Sequence, residues 1–172
     1  NVWRKEKMEL KEQITDDLLP RALTRSRYTE AIIDVPGKLL LVNQSNSNRA
    51  ENFVSQLRQA LGSLPAALPC TVESPTSLMT AWLEQSEAAG NFELDSDCEL
   101  KGVGDAAPVI KISKQDLAAD EVKQHLEHGK ICTQLGLVWN NQIRFILNED
   151  MSLKRIQYLD MLQEEAANQG DD

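Results

Sequence analysis

The chain of 172 residues lacks the marks of several protein classes. No apolar run approaches the roughly 18 residues that a membrane-spanning helix needs, and the first residues hold no apolar stretch typical of a signal peptide. The three cysteines form no Cys-x-x-Cys pair, and their odd number argues against a disulfide framework. These absences predict a soluble cytoplasmic protein with reduced thiols and no membrane partner.

Sequence signals for metal or nucleotide chemistry are also missing. The only histidines, His125 and His128, share one face of a predicted helix, but zinc would need further ligands, so we interpret them as structural. No compact cluster of carboxylates surrounds Asp34, Glu149 or Asp150, as a metal-dependent nuclease would need. No Gly-x-x-x-x-Gly-Lys loop is present to bind phosphate. The sequence therefore predicts a protein without cofactor or metal that is not an enzyme.

Positive charge is scarce in the middle of the chain. Residues 61–108 contain eight acidic residues and a single basic one, Lys101, and the whole chain carries a formal net charge of −9. The bases and acids outside this window nearly balance, so an acidic region could coexist with a locally basic face. Overall acidity therefore does not exclude a nucleic-acid partner, because phosphate binding depends on local positive charge.

The first third of the chain shows two kinds of apolar pattern. Apolar residues at four-residue spacing predict a helix over Arg4–Leu18, and Pro20 is expected to end it. Alternating residues in Tyr28–Val35 and Leu39–Val42 flank a Pro-Gly turn. Alternation on both sides of such a turn predicts a hairpin.

Two further helices are predicted before the acidic region. One follows the N-cap candidates Ser45–Asn48 and ends at Gly62, and the next begins at Ser74-Pro75. Asn91–Gly104 shows no clear period. This segment is therefore expected to be an exposed and partly irregular connection.

The last third changes its apolar period from two to about four and back to two, which predicts strand, helix, strand and strand. Asp116 is expected to cap the helix. A three-residue loop, Asn140–Gln142, aligns the apolar rows of the two following strands better than a two-residue turn does. Leu153–Tyr158 fits either a strand or a helix. The row expected to share one face of the first of these two strands, with its tryptophan in the core, is Ile131, Thr133, Leu135, Leu137 and Trp139.

Together these patterns predict an α+β chain with mainly antiparallel sheets and helices packed on them. Residues 1–61 are expected to form the helix, hairpin and helix of a central region. Residues 62–106 are expected to form an acidic helical lobe, and residues 107–172 the strand, helix, strand and strand region.

Eight short motifs, read in order, resemble the RdgC family of recombination-associated proteins. The resemblance extends from about Leu10 to Leu162. Family members extend further at both ends, so the chain is expected to be an internal fragment. The motifs are Leu18-Leu-Pro-Arg-Ala22, Ile33-Asp34, Ala50-Glu51, Leu61-Gly-Ser-Leu-Pro65, Lys114-Gln-Asp-Leu117, Glu127-His-Gly-Lys130, Leu135-Gly-Leu-Val-Trp139 and Leu153-Lys-Arg-Ile156.

The resemblance implies a nucleoid-associated protein that binds double- and single-stranded DNA without marked sequence preference. It also implies that each chain is one subunit of a ring-shaped homodimer with a positively lined hole, which antagonises a RecA-type recombinase by occupying its DNA. An old exonuclease description attaches to the family without an established active site. Two alternatives remain, a protein-interaction module that does not bind DNA and a metal-dependent exonuclease.

Cations held on a folded scaffold contact phosphate without reading bases. Taken singly, each cation also fits a solvated surface charge or a local ion pair. Arg21 directly follows a proline that fixes the local backbone, so we expect a loop tip to present it. With the resemblance, the residues assigned to DNA contact are Arg21, Arg25, Arg27, Lys114, Gln115, Lys130, Lys154 and Arg155.

Overall fold

The computed structural model describes residues 3–104, 107–160 and 162–163. The chain divides into two compact units, Asn1–Gln44 and Ser45–Asp172. Each unit contains helix and antiparallel sheet. The predicted α+β class is therefore confirmed.

The first unit contains a helix and a hairpin. Helix α1 spans Arg4–Leu18, and one tight helical turn follows at Leu19–Arg21. Strand β1 (Glu30–Asp34) pairs antiparallel with β2 (Leu39–Asn43). The predicted helix and hairpin are both confirmed.

The second unit includes helices α2 (Ser47–Leu61), α3 (Pro75–Gln85) and α4 (Asp120–Glu127). The side chains of Asn46 and Ser74 accept backbone N–H groups from the first turns of α2 and α3. Both caps lie where the sequence predicts them, because a short oxygen-bearing side chain satisfies a donor that the helix leaves unpaired.

Helix α4 begins later than the sequence predicts. Asp116 is not its cap, because the N-cap residue is Ala119. Oδ1 of Asp116 instead accepts the N–H of Ala118 at 2.9 Å. This local bond offers the backbone a turn in place of a helical start, so the helix begins after it.

A five-stranded antiparallel sheet forms the centre of the second unit. Its strands are β3 (Phe92–Lys101), β4 (Val109–Ile112), β5 (Ile131–Trp139), β6 (Ile143–Asn148) and β7 (Leu153–Tyr158). Their order across the sheet is β4-β3-β5-β6-β7. Trp139 pairs with Ile143, so the three-residue loop predicted between β5 and β6 is confirmed. The segment that the sequence left open between strand and helix is a strand, β7.

Strand β3 is the main departure from the sequence interpretation. The prediction that Asn91–Gly104 is an irregular connection was wrong, because ten residues of it form a strand between β4 and β5. The register against β5 shifts between Leu94 and Cys98. This bulge inserts residues into the alternation and so hides the period of two that identifies a strand.

One face of the sheet packs against α3 and α4. From the helices, Met79, Leu83 and Val122 are fully buried there, and Trp82 is nearly so. Removing this apolar surface from water, at roughly 25 cal/mol per Å², is the main stabilising contribution to the unit. The buried apolar residues that the strands contribute are Cys98, Leu100, Cys132, Leu135, Leu137 and Phe145.

The apolar row predicted for β5 was wrong at its first end, and at the other end Trp139 shares the predicted face but is not in the core. A register shift opposite Glu99 makes Thr133 an extra residue, and its hydroxyl donates to the Glu99 backbone carbonyl and carboxylate. Cys132 therefore enters the core, while Ile131 is 39 % exposed. Trp139 is 37 % exposed, because the helices do not cover the β6 and β7 end of this face.

Candidate nucleic-acid interface

The face of the five-stranded sheet turned away from α3 and α4 carries most of the charged side chains of its strands. We call it the polar face. Alternation along β3 places Glu93 and Glu99 on it, since Phe92, Leu94, Cys98 and Leu100 belong to the core side. Gly136 of β5 lies on the polar face between two core residues of its strand.

Gly136 makes room for the bulge of β3. A Cβ atom at this position would lie 3.0 Å from the carbonyl oxygen of Asp97 and 3.2 Å from the Cβ atom of Asp95. Both distances are shorter than an ordinary van der Waals contact. Because Gly136 has no side chain, Asp95 and Asp97 can pack closely against β5 on the polar face.

Three acids of β3 form ion pairs with cations from three other strands. Nζ of Lys111 on β4 lies 3.1 Å from Oε2 of Glu99. On β6, Nε of Arg144 lies 3.2 Å from Oδ2 of Asp95. The third pair joins Nη1 of Arg155 on β7 to Oδ2 of Asp97 across 3.6 Å. The acidic residues of β3 are thus paired with basic residues from the strands around them.

The two signs of charge in these pairs lie at different depths. The carboxylate side chains of Asp95, Asp97 and Glu99 are 15 to 25 % exposed. Their partners Lys111, Arg144 and Arg155 are 47 to 74 % exposed. The cations therefore extend past the carboxylates and form the outer layer of charge.

Asp97 contacts two of the predicted DNA-binding residues. Its Oδ1 accepts the backbone N–H of Lys114 at 3.1 Å, while its other oxygen faces Arg155. Both Lys114 and Arg155 have positive φ, 56° and 52°. Residues with a Cβ atom rarely adopt this conformation, so each backbone needs support from its surroundings. The Asp97 carboxylate supplies part of that support to the backbone of Lys114.

Lys154 is held by an amide rather than by a carboxylate. Its Nζ donates to Oδ1 of Asn148 at 2.9 Å, and the side-chain amide of Asn148 donates to the Ser152 carbonyl at 2.8 Å. Asn148 is 4 % exposed. Within the described part of the chain, Lys154 forms no direct salt bridge, although its charge contributes to the lowered pKa of Asp150.

Gln115 and Lys130 are both half-buried. Nε2 of Gln115 donates to the Glu121 carboxylate at 2.9 Å, and its backbone N–H donates to the Ser96 carbonyl at 3.2 Å. Lys130 follows α4, and its backbone N–H donates to the His125 carbonyl at 3.2 Å. Gln115 therefore links the loop before α4 to β3, and Lys130 starts the chain into β5.

The pKa values of three residues in this unit are shifted, one by hydrogen bonds and two by burial. Hydrogen bonds from Ser152, and one from Ser47, hold the pKa of Asp150 below its ordinary value. Desolvation by burial raises the pKa of Cys98 to about 12 and also raises that of Cys132. These two thiols therefore stay protonated near neutral pH.

Comparison with known proteins places the chain in one family. A family model described as "Putative exonuclease, RdgC" matches residues 1–172. The chain is 65 % identical over 172 residues to the recombination-associated protein RdgC of Neisseria meningitidis serogroup B, covering 100 % of this chain and 58 % of that protein. The chain belongs to the RdgC family. The resemblance read from the eight motifs is confirmed.

More distant RdgC proteins match over nearly the same span. Identity is 54 % with RdgC of Laribacter hongkongensis, covering 99 % of this chain and 56 % of the relative. With RdgC of Pseudomonas paraeruginosa it is 38 %, covering 98 % and 55 %. The chain thus spans a little over half the length of the relatives that it matches.

The remaining cations predicted from the RdgC resemblance lie in the first unit. Arg21 ends the tight turn after α1, and its side chain is exposed. Arg25 and Arg27 are exposed in the extended segment before β1. Tyr28, which follows them, is 90 % exposed. The loop-tip position expected for Arg21 corresponds to the end of this helical turn.

Three polar-face cations, Lys101, Lys111 and Arg144, were not among the predicted site residues. Lys111 lies between Ile110 and Ile112, and Arg144 lies between Ile143 and Phe145. A cation that alternates with core residues on a strand must point away from the core. This signal is present in the sequence, but only the ion pairs with β3 join the two residues to Arg155 in one surface.

No described helix is both long and apolar enough to cross a membrane. Among the described residues, no group of three or more His, Cys, Asp or Glu side chains is arranged to hold a metal ion.

Proposed function

We propose that this chain is the part of an RdgC-family protein that binds DNA without sequence preference and acts without catalysis. The observation that carries the proposal is the outer layer of cations on the polar face. Five cations from four strands belong to this face, and they are Lys101, Lys111, Arg144, Lys154 and Arg155.

The layered charges explain how an acidic protein attracts a polyanion. Phosphates approach the cations first, while the partly buried carboxylates beneath them hold the cationic side chains in place. Contacts of this kind neutralise the phosphate charges of the DNA backbone and do not depend on the base sequence. Since carboxylates partly neutralise three of the cations, we expect moderate affinity that falls steeply with salt.

The first test is fluorescence anisotropy of labelled double- and single-stranded DNA, titrated at several salt concentrations. The double variant Lys154→Glu/Arg155→Glu reverses two charges on the polar face. We expect at least a tenfold loss of affinity and a salt slope shallower by about 2, since each phosphate contact contributes about 0.9. Arg21→Glu and Lys114→Glu test the positions proposed from the family.

The matched control is Lys7→Glu/Lys11→Glu, which makes the same change in net charge. Both lysines are exposed on α1, and neither is assigned to DNA contact. If both double variants lose affinity equally, net charge and not the polar face governs binding. No binding by the original chain at low salt would overturn the proposal.

A separate assay distinguishes DNA binding from nuclease activity. Labelled DNA is incubated with the chain and Mg²⁺ or Mn²⁺ and then resolved on a denaturing gel. We expect intact DNA, since the proposed contacts are electrostatic and hold no nucleophile. If shortened DNA forms with the metal ion but not when EDTA is added, this result would instead support the exonuclease in the family description.

We further propose that the complete protein acts as a ring-shaped homodimer that restrains a RecA-type recombinase by occupying its DNA. The relatives are named recombination-associated proteins, which favours this role. Analytical ultracentrifugation tests self-association, and DNA-strand exchange by a recombinase tests antagonism. Inhibition that excess DNA relieves supports competition for DNA, and inhibition unaffected by excess DNA contradicts it.

A protein-interaction role is favoured by a different feature. The uncovered end of the core face forms an apolar hollow of about 390 Å³ around Phe92, Trp139, Ile143 and Tyr158. Exposed apolar hollows on proteins are often contact sites. Ile143→Lys should abolish self-association or partner binding if this role is correct, while leaving DNA binding unchanged.

A further inference from the structure

The second unit contains a polar cleft that the proposed DNA surface does not explain. It has a volume of about 850 Å³ and lies between the loop after α3 and the loop before α4. The floor between the two loops is the first half of β3, Phe92–Ser96. We call this the β3 edge cleft.

The edge of β3 in the cleft has no strand beside it. Strand β4 pairs with β3 only from Cys98 to Lys101. Beyond that, the chain turns away at Lys114, and the N–H of Gln115 bonds to the Ser96 carbonyl. The edge before Ser96 therefore remains unpaired by any described residue on the β4 side.

The hydrogen bonds to β5 show which groups this edge presents. The N–H of Asn140 donates to the carbonyl of Asn91 at 2.9 Å, so the Asn91 backbone points toward β5. Backbone direction alternates along an antiparallel strand, so Glu93 also points toward β5. The N–H and C=O groups of Phe92 and Leu94 consequently point the opposite way, into the cleft.

A free strand edge is a template for a further strand. Short segments bind to such edges through main-chain hydrogen bonds, and side-chain pockets select the sequence. Ser86 also lines the cleft, but its Oγ is buried and has no hydrogen-bond partner among the described residues. The unpaired polar groups that the cleft presents are therefore those of the β3 backbone.

The charges around the cleft define the ligand that it fits. Glu87, Glu93 and Asp116 are exposed and line it, and the fourth acid, Asp95, is already paired with Arg144. Lys114 is the single cation among the lining residues. The rim is therefore predominantly negative and complementary to a cationic side chain.

We propose that the β3 edge cleft binds an extended, lysine- or arginine-bearing segment of a partner protein as an added strand. The backbone of this segment pairs with Phe92 and Leu94, and its cations face Glu87, Glu93 and Asp116. This binding goes beyond the proposed DNA contact and needs no nucleic acid.

The test uses a defined probe, the acetylated and amidated pentapeptide Lys-Val-Arg-Val-Lys, added to the whole chain labelled with ¹⁵N. Amide hydrogen exchange is followed by NMR at low salt. We expect exchange at Phe92 and Leu94 to slow at least tenfold with saturating peptide. The Glu93 amide already points toward β5 and serves as the internal reference, with no change in exchange.

Two sets of controls separate strand addition from general attraction between charges. The first set contains the peptide Glu-Val-Glu-Val-Glu and two N-methylated forms of the probe, one at the valines and one at the charged residues. The acidic peptide should not bind, and at least one N-methylated form should lose the protection, because one set of peptide N–H groups faces β3.

The second set changes the protein. The variant Glu87→Gln/Glu93→Gln/Asp116→Asn should weaken binding at least fivefold, and Glu12→Gln/Asp16→Asn/Asp17→Asn, with the same change in charge on α1, should not. If both N-methylated probes bind as tightly as the parent peptide, or if Phe92 and Leu94 show no protection at saturation, the proposal is overturned. Since no DNA is present, these results are independent of the DNA-binding proposal.

Discussion

The backbone N–H of Lys114 donates to the carboxylate of Asp97 across 3.1 Å, and this bond ties the loop before α4 to the centre of β3. The other oxygen of the same carboxylate faces Arg155 of β7. One acidic residue therefore supports two cations that the family resemblance assigns to DNA contact. From the sequence alone, Asp97 is only one residue of an acidic region, since nothing in its local pattern indicates that it contacts Lys114 and Arg155.

Substitution of Asp97 should separate its two contacts. Asp97→Asn keeps an acceptor oxygen for the Lys114 N–H but removes the charge that faces Arg155, so we expect a stability loss below about 1 kcal/mol. Asp97→Ala also removes the acceptor, and we expect it to lower the free energy of unfolding by about 1–2 kcal/mol. Urea denaturation measures both values. Equal losses in the two variants would show that the bond to Lys114 contributes nothing.

The variant Asp97→Asn should also change the affinity for DNA. Asp97→Asn removes one negative charge from the polar face while keeping the loop in place, so binding should tighten by about two- to fivefold at low salt. Anisotropy with a labelled duplex measures the change. Weaker binding by Asp97→Asn would mean that the ion pair orients Arg155 in a way that DNA binding requires.

Gly136→Ala should destabilise the second unit. The new methyl group would lie 3.0 Å from the Asp97 carbonyl oxygen, and a backbone atom in a paired strand moves away only at a cost. We expect a loss of about 1–3 kcal/mol in the free energy of unfolding, typical of overpacking. The control is Gly102→Ala, whose methyl would meet side-chain carbons of Ala107 and Pro108 at 3.3 Å. A loss no larger than that of the control would contradict the role assigned to Gly136.

The three cysteines should differ in reactivity. Cys70 is exposed, whereas Cys98 and Cys132 are buried. Since only the thiolate reacts, the raised pKa of Cys98, about 12, adds to the effect of burial. Iodoacetamide at pH 8 should label one thiol in the folded chain and all three in denaturant, as counted by mass spectrometry. Rapid labelling of Cys98 or Cys132 without denaturant would show that the core opens readily.

The turn after β6 should contribute stability that depends on pH. Hydrogen bonds from Ser152 and Ser47 lower the pKa of Asp150 in the folded chain below its ordinary value of 3.8. A lowered carboxyl pKa stabilises the fold above the pKa of the unfolded chain, and this contribution disappears as pH falls through the folded value. Asp150→Ala should therefore cost at most about 1 kcal/mol at pH 7, since the group is exposed.

The measurement for Asp150 is urea denaturation between pH 2.5 and 7. The difference between the original chain and Asp150→Ala should shrink toward the acidic end. Glu149→Gln is the neighbouring control and should change stability little at any pH in this range. A difference that is constant with pH would mean that packing of the turn, and not its ionised carboxylate, contributes the stability.

The sequence by itself determined the elements whose signals are local. Proline and the four-residue apolar spacing fixed α1, the caps fixed the starts of α2 and α3, and alternation fixed most of β5, β6 and the loop between them. Ordered motifs identified the family, because their order is a property of the chain and needs no contacts. These features depend on residues close together in sequence, where propensity and capping act.

Tertiary structure alone decided the placement of β3 and the grouping of charges around it. The bulges opposite Gly136 and at Thr133 disrupt the period of two, so the strand can be recognised only through its pairing with β4 and β5. Glu99, Asp95 and Asp97 acquire their cationic partners from strands that are distant in sequence. Such pairs form because backbone hydrogen bonds bring separate strands together. Amino-acid composition does not predict which strands become neighbours in the sheet.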